Sequence, residues 1–260
     1  MKRIYSALLL LAVILPLVII GEMPFALLIG VISMIAIKEV TDLYKFPILV
    51  KLLMFLGLLS VVYSNFEPSG IVLGLDYKVL SGFLLALTLP IILFQTAGKY
   101  NVKDSFEVIG FLLILGLGLN YLILIRNYDL IYFLFVILIP IITDIFAYTS
   151  GIMIGKHKAT KLSPNKSWEG YIIGSIMGTF IMTVFYVVLI GNQTNLFIVI
   201  GLILALSIVG QLGDLFFSAI KRQFDIKDFS RLIPGHGGVV DRLDSIIFVA
   251  LLFIMLMSYL

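Results

Sequence analysis

Between Ser218 and Asp244 the chain reads SAIKRQFDIKDFSRLIPGHGGVVDRLD, and the side chains gathered there are of the kinds that handle phosphate. Lys221, Arg222, Lys227, Arg231 and Arg242 offer compact ammonium charges and guanidinium forks that match phosphate oxygens. Gly235, Gly237 and Gly238 leave a backbone that a ligand can approach closely. Asp241 and Asp244 stand three apart, so a helix beginning near Asp241 carries both carboxylates on one face, close to its positive end. Oxygen donors beside a phosphate site suit Mg²⁺, which is usually held by one or two carboxylates plus the substrate's own phosphates. The competing account is a basic loop resting on anionic lipid headgroups. That account needs charge alone and gives no purpose to the fixed run from Pro234 to Gly238 or to Asp241-Arg242-Leu243-Asp244.

Two other constellations lie upstream. Asp144 and Asp214 are acidic residues set deep in apolar runs, where a carboxylate is costly and is by default a sign of function. The plainer explanation is a carboxylate satisfied by a lysine or hydroxyl of a neighbouring helix. Asp214 precedes Ser218 by four residues and Lys221 by seven, one and two helical turns, so the three side chains share a face. The stretch from Gly151 to Gly170 is a second phosphate-like patch, with Lys156, Lys158, Lys161 and Lys166 around a turn from Ser163 to Ser167. Ser167 is a suitable N-cap for a helix opening on Trp168-Glu169-Gly170. His157 in this patch reads as a surface partner rather than a metal ligand, and Trp168, the lone tryptophan, as an interfacial anchor.

The elements that must position these groups are membrane-grade helices. Of the 260 residues 61% are hydrophobic and only 13% charged, and the mean hydropathy is +1.17, far outside soluble composition. Nine apolar segments are expected, at about 4–20, 23–41, 48–65, 79–97, 105–125, 130–150, 168–190, 195–217 and 243–260. The predicted fold is an all-α, polytopic integral membrane protein of about nine transmembrane helices in a single domain. Residues 1–130 then form a scaffold and dimer surface, and 131–260 the chemical half. Pro and Gly in or beside 23–41 and 79–97 predict tilted or broken spans there. The first run superficially resembles a secretory signal, but no small-residue cleavage site follows it, so it reads as a retained span.

Placing the N-terminus in the cytoplasm puts sixteen of the eighteen Lys and Arg residues on that side and leaves only Lys78 and Arg126 outside. Both polar loops then face the cytoplasm of a multi-pass cell-membrane protein, and the C-terminus lies outside. With no cysteine, disulfides, thiolate metal sites and a Cys nucleophile are excluded. Thr143-Asp144-Ile145-Phe146 and Gly213-Asp214-Leu215-Phe216 echo one another, too briefly to establish a duplication.

The long polar stretch carries a resemblance. Ser218, Ile220, Lys221-Arg222, Lys227-Asp228, Ser230, Ile233-Pro234, His236-Gly237-Gly238 and Asp241-Arg242-Leu243-Asp244 resemble the signature of the phosphatidate cytidylyltransferases, also called CDP-diacylglycerol synthases. Asp144, Ala147-Tyr148, Gly151, Gly155, Ser163-Pro164, Lys166, Glu169 and Gly170 fill further places of that family, with Ser167 where Thr is more usual. The resemblance covers about residues 140–245. It implies a membrane enzyme that joins CTP to phosphatidate, a lipid-bilayer setting, no nucleic-acid partner and a homodimer.

On that resemblance the catalytic set is Asp214, Lys221, Arg222, Lys227, Asp228, His236, Asp241, Arg242 and Asp244. Asp144, Tyr148, Lys156, Ser163, Lys166, Ser167, Glu169 and Ser218 would line the substrates. Asp214, Asp241 and Asp244 would hold one or two metal ions, at least one of them Mg²⁺. His236 serves equally well as a contact to the nucleotide or as a turn residue. A cation- or proton-coupled transporter using Asp144 and Asp214 is the alternative, but transport calls for polar residues at midplane and on both faces. Here they crowd onto one. A CDP-alcohol phosphotransferase would carry an Asp-rich single-helix motif with an Ala-Arg pair, and the sequence has none.

Overall fold

A computed structural model describes residues 12–64, 66–67, 70–71, 77–160, 162–164, 166–191, 194–232 and 237–259. Apart from an antiparallel pair of two-residue strands, β1 (Phe66–Glu67) and β2 (Gly70–Ile71), the regular elements among them are helical. They are α1 (residues 12–20), α2 (Glu22–Asp42), α3 (Ile48–Val62), α4 (Tyr77–Thr88), α5 (Pro90–Phe94), α6 (Val102–Tyr128), α7 (Leu130–Ile154), α8 (Trp168–Phe185), α9 (Leu196–Gln223) and α10 (Val240–Leu256). Five of these, α2, α6, α7, α8 with its π-helical end and α9, are long and apolar enough to cross a membrane, and shorter apolar helices accompany them. The chain is an all-α integral membrane protein.

The described parts of the nine expected segments are mostly helical, and residues 4–11, 65 and 260 of those segments lie outside the described residues. The segment at 79–97 is broken as predicted, because α4 stops at Thr88 and α5 restarts at Pro90, a residue suited to a first helical turn. The segment at 23–41 is not broken. Pro24 sits in the first turn of α2, where its missing N–H has no helical partner to lose, and the helix runs on through Gly30.

The chain divides into two compact units, one of residues 1–128 with 229–240, the other of residues 129–228 with 241–260. In the first, α2, α3 and α6 pack together through small residues and directional bonds. A Cβ at Gly30 would lie 2.1 Å from the Tyr63 hydroxyl, which donates to the Ala26 carbonyl at 2.8 Å. The Asn120 amide of α6 donates to the Val62 carbonyl of α3 at 2.8 Å. Arg126, near the end of α6, donates to the carbonyl oxygens of Val18 and Ile19 and so satisfies the last turn of α1.

In the second unit α7 and α8 run antiparallel in very close contact. Cβ atoms built at Gly170, Gly174 and Gly178 would lie 2.6 Å from the Ala147 carbonyl, 2.7 Å from the Ala147 side chain and 2.5 Å from the Thr143 hydroxyl. Glycine at every fourth position of α8 is what lets the two backbones meet, the small-residue packing that suits helices in lipid. Hydroxyl and amide contacts tie in α9: Thr143 meets Ser207 at 2.8 Å, and Gln211 donates to the Tyr171 carbonyl and the Ser175 hydroxyl, each at 3.2 Å. At Gly213 there is likewise no room for a side chain, since its Cβ would fall 2.8 Å from the Asp244 carbonyl and from Phe248. That contact brings α9 and α10 together where their charged residues lie.

Candidate active site

The last three turns of α9 carry Asp214, Ser218 and Lys221 on one face, as their spacing predicts, and Ser218 and Lys221 are buried. The Lys221 ammonium reaches Asp241 in the first turn of α10 at 2.8 Å, with 10% and 5% of the two side chains exposed. Lys166, in the loop before α8, pairs with Asp214, and its ammonium also stands 5.4 Å from the centre of the Tyr171 ring. Asp144 of α7 is close enough to feel the charges of Lys166 and Asp214, and Asp244 those of Asp214 and Lys221. One continuous run results: Asp144, Lys166, Asp214, Asp244, Lys221 and Asp241. Burial alone would weaken the hold of Lys166 on its proton, but Asp214 and Asp144 outweigh it and raise the pKa, so this residue is a fixed cation.

Four carboxylates against two ammonium groups leave the run with an excess of hard oxygen donors. Such a set fits Mg²⁺ held by one or two carboxylates together with ligand phosphates. It does not amount to a cage, since among the described residues no three acidic or histidine side chains gather closely enough to hold an ion by themselves. Asp214 and Asp241 each have an ammonium partner, while Asp244 accepts from the Ser245 N–H at 2.7 Å and the Ser245 hydroxyl at 3.2 Å.

The loop between α7 and α8 is built to present Lys166. Ala159 N–H donates to the Lys166 carbonyl, Lys166 N–H to the Ser163 carbonyl and Trp168 N–H to the His157 carbonyl, at 3.0, 3.1 and 3.0 Å. Ser167 caps α8 by accepting from Gly170 N–H at 3.1 Å, the role its position predicts. His157 is a surface partner, its Nδ1 lying 2.6 Å from Glu169. Arg222 donates to the carbonyls of Leu162 and Ile226, at 3.3 and 2.8 Å, and so ties this loop to the residues that follow α9. Tyr148, Lys156, Lys227, Asp228 and Arg242 are exposed, and Ser163 is half-buried. His236 lies outside the described residues, as do Lys161, Ile233, Pro234 and Gly235.

Beside the run, between α8 and α9, lies a cavity of about 390 Å³ whose wall is mostly apolar, formed by Trp168, Tyr171, Ile172, Ile176, Ile208 and Leu212. Sequence reasoning had no means to find it. It also missed Glu39, an acidic residue at the end of an apolar run whose buried carboxylate accepts from Ser230, Val239 and Val240 in the first unit. The available signal was a carboxylate beside Lys38 at the end of an apolar run in a stretch read as scaffold.

The whole chain, residues 1–260, matches the cytidylyltransferase family. The chain belongs to this family. It is 35% identical to the phosphatidate cytidylyltransferase of Bacillus subtilis (strain 168), an alignment covering 95% of this chain and 94% of that protein. It is 31% identical to the proteins of the same name from Staphylococcus aureus (strain COL) and from Staphylococcus saprophyticus, with 95% of both chains covered in each case. Family membership thus extends through the N-terminal half, where the sequence offers little beyond hydrophobicity.

Proposed function

We propose that this cytidylyltransferase joins CTP to phosphatidate, giving CDP-diacylglycerol and pyrophosphate for phospholipid biosynthesis. The observation that carries this reading is the pair of Lys–Asp contacts at one end of α9, Lys166 with Asp214 and Lys221 with Asp241. Each holds an ammonium where a phosphate oxygen can take over from the carboxylate, since the two anions compete for the same cation. A phosphate oxygen of phosphatidate attacks the α-phosphorus of CTP, and the bond from that phosphorus to the β-bridging oxygen breaks. The leaving pyrophosphate keeps the electron pair.

The attacking oxygen is already anionic, so no strong base is needed, and rate comes from in-line placement and charge neutralisation. Lys166 and Lys221 bind and orient phosphate oxygens, and Tyr171 helps to confine Lys166. The apolar cavity beside Lys166 supports a lipid co-substrate, because it gives an acyl chain somewhere to lie while the headgroup meets the cations. One or two carboxylates drawn from Asp214, Asp241 and Asp244 would hold Mg²⁺ together with phosphate oxygens of the nucleotide it arrives with. Bound there, the ion would neutralise charge on the departing pyrophosphate. The distribution of lysine and arginine supports a cytoplasmic position for the N-terminus and both polar loops, and an external C-terminus.

The test is label transfer. With purified protein, CTP labelled at the α-phosphate should move its label into the organic phase when phosphatidate and Mg²⁺ are present. Omission of phosphatidate or of Mg²⁺ should each leave it in the aqueous phase. Label that stays aqueous in the complete mixture would refute the reading.

A further inference from the structure

We propose that Glu39 is a positioning residue, which holds Ser230 and the turn of Val239 and Val240 on which Asp241 follows. This rests on the cytidylyltransferase reading above. Glu39 lies in the last turn of α2 and is 4% exposed. Its Oε1 accepts from the Ser230 hydroxyl at 2.6 Å and from Val239 N–H at 2.9 Å, and its Oε2 accepts from Val240 N–H at 2.9 Å. Ser230 in turn accepts from Leu232 N–H at 3.2 Å. One carboxylate therefore gathers donors from both ends of the segment that contains Pro234-Gly235-His236-Gly237-Gly238.

The surroundings fit a carboxylate and little else. A buried anion is tolerated only if its lone pairs are met, and here the partners are neutral donors at the positive end of a helix. Among the described residues no lysine or arginine bridges it. A Cβ at Gly238 would fall 2.6 Å from Oε2, so any side chain there displaces the carboxylate. Glutamine has the same shape but only one acceptor oxygen, and its amide would face a donor. Since Val240 directly precedes Asp241 in the chain, releasing Val239 and Val240 frees the backbone that carries a proposed site residue.

A residue acting this way should govern the rate rather than substrate affinity. Glu39→Gln should lower kcat by about 10- to 100-fold with the KM for CTP nearly unchanged, the cost of a small misplacement. Ser230→Ala should fall less far, Ser230→Thr should retain activity because it keeps the hydroxyl, and Gly238→Ala should mimic Glu39→Gln. The double variant Glu39→Gln with Gly238→Ala should be no worse than either single one, because both break the same contact.

A second readout does not depend on turnover. The chain has no cysteine, so Leu232→Cys, at a position 56% exposed, gives a single site for a spin label. Label mobility should rise with Glu39→Gln, or with Ser230→Ala should the Glu39 variant fail to fold, and should not change with Asp241→Asn. Wild-type kcat together with unchanged label mobility in Glu39→Gln would overturn the proposal. Absence of label transfer from CTP by the wild type would instead refute the functional reading, and the mobility comparison would still decide whether Glu39 holds this segment.

Discussion

Two charged groups of the first unit and two of the second are met in opposite ways. In the first, Glu39 is met by a hydroxyl and two backbone N–H groups, and Arg126 by the carbonyls of Val18 and Ile19. These are charges satisfied by neutral, fixed partners. In the second, Asp214 and Asp241 are met by lysines, with Asp144 and Asp244 close enough to feel the same charges. A charge held by the backbone locks the chain in place, whereas a lysine on a flexible stem can exchange one anion for another. The difference separates holding from handling. Among these four groups a neutral partner goes with architecture and a lysine counter-ion with the proposed chemistry, whereas Asp244, met by Ser245, combines a neutral partner with a proposed role in the site.

The strongest challenge to that contrast is Asp241→Asn, which keeps the shape and removes the charge opposite Lys221. Turnover should fall by about a thousandfold, the scale of losing a group that works in the transition state, while the protein stays folded. Label transfer together with thermal unfolding checks both halves, and near-normal turnover would remove Asp241 from the chemistry. Glu39→Gln comes next, with the smaller loss already given.

Gly174→Val probes the frame beneath the second unit. Its new side chain meets Ala147 at a separation that allows no Cβ, so about 1–3 kcal/mol of stability should be lost to overpacking, read as a lower unfolding temperature. An unaltered midpoint would mean that α7 and α8 are not held by this contact. The smallest effect on turnover should come from Arg126→Ala. It leaves the carbonyls at the end of α1 unmet and should cost about 1–3 kcal/mol of stability, with kcat and KM unchanged. A loss of turnover at constant stability would blur the line between the two units.

Much of this was legible in the sequence, for identifiable reasons. Lipid forces the helices, so the described parts of the nine apolar runs are mostly helical, and Pro90 marks the point where α4 gives way to α5. Asp214, Ser218 and Lys221 share a face because helical spacing fixes it, and Ser167 caps α8 because little else could. What stayed hidden depends on separation along the chain. Glu39 meets Val240 across 201 positions and Lys166 meets Asp214 across 48, and no periodicity reports such a meeting. Glycine at 170, 174 and 178 was written in the sequence as a helix-packing stripe, but only the approach of α7 reveals its use. Pro24 gave the wrong hint, because a proline breaks a helix by position and not by presence.

The most direct test reverses one ion pair. Lys221→Asp combined with Asp241→Lys keeps a buried salt bridge of the same length but exchanges the sites of its cation and anion. If these charges meet phosphate at fixed places, the double variant should fold with wild-type stability and transfer no label from CTP to lipid. Recovery of activity in the double variant, after loss in both single ones, would show that the pair serves only to hold α9 against α10.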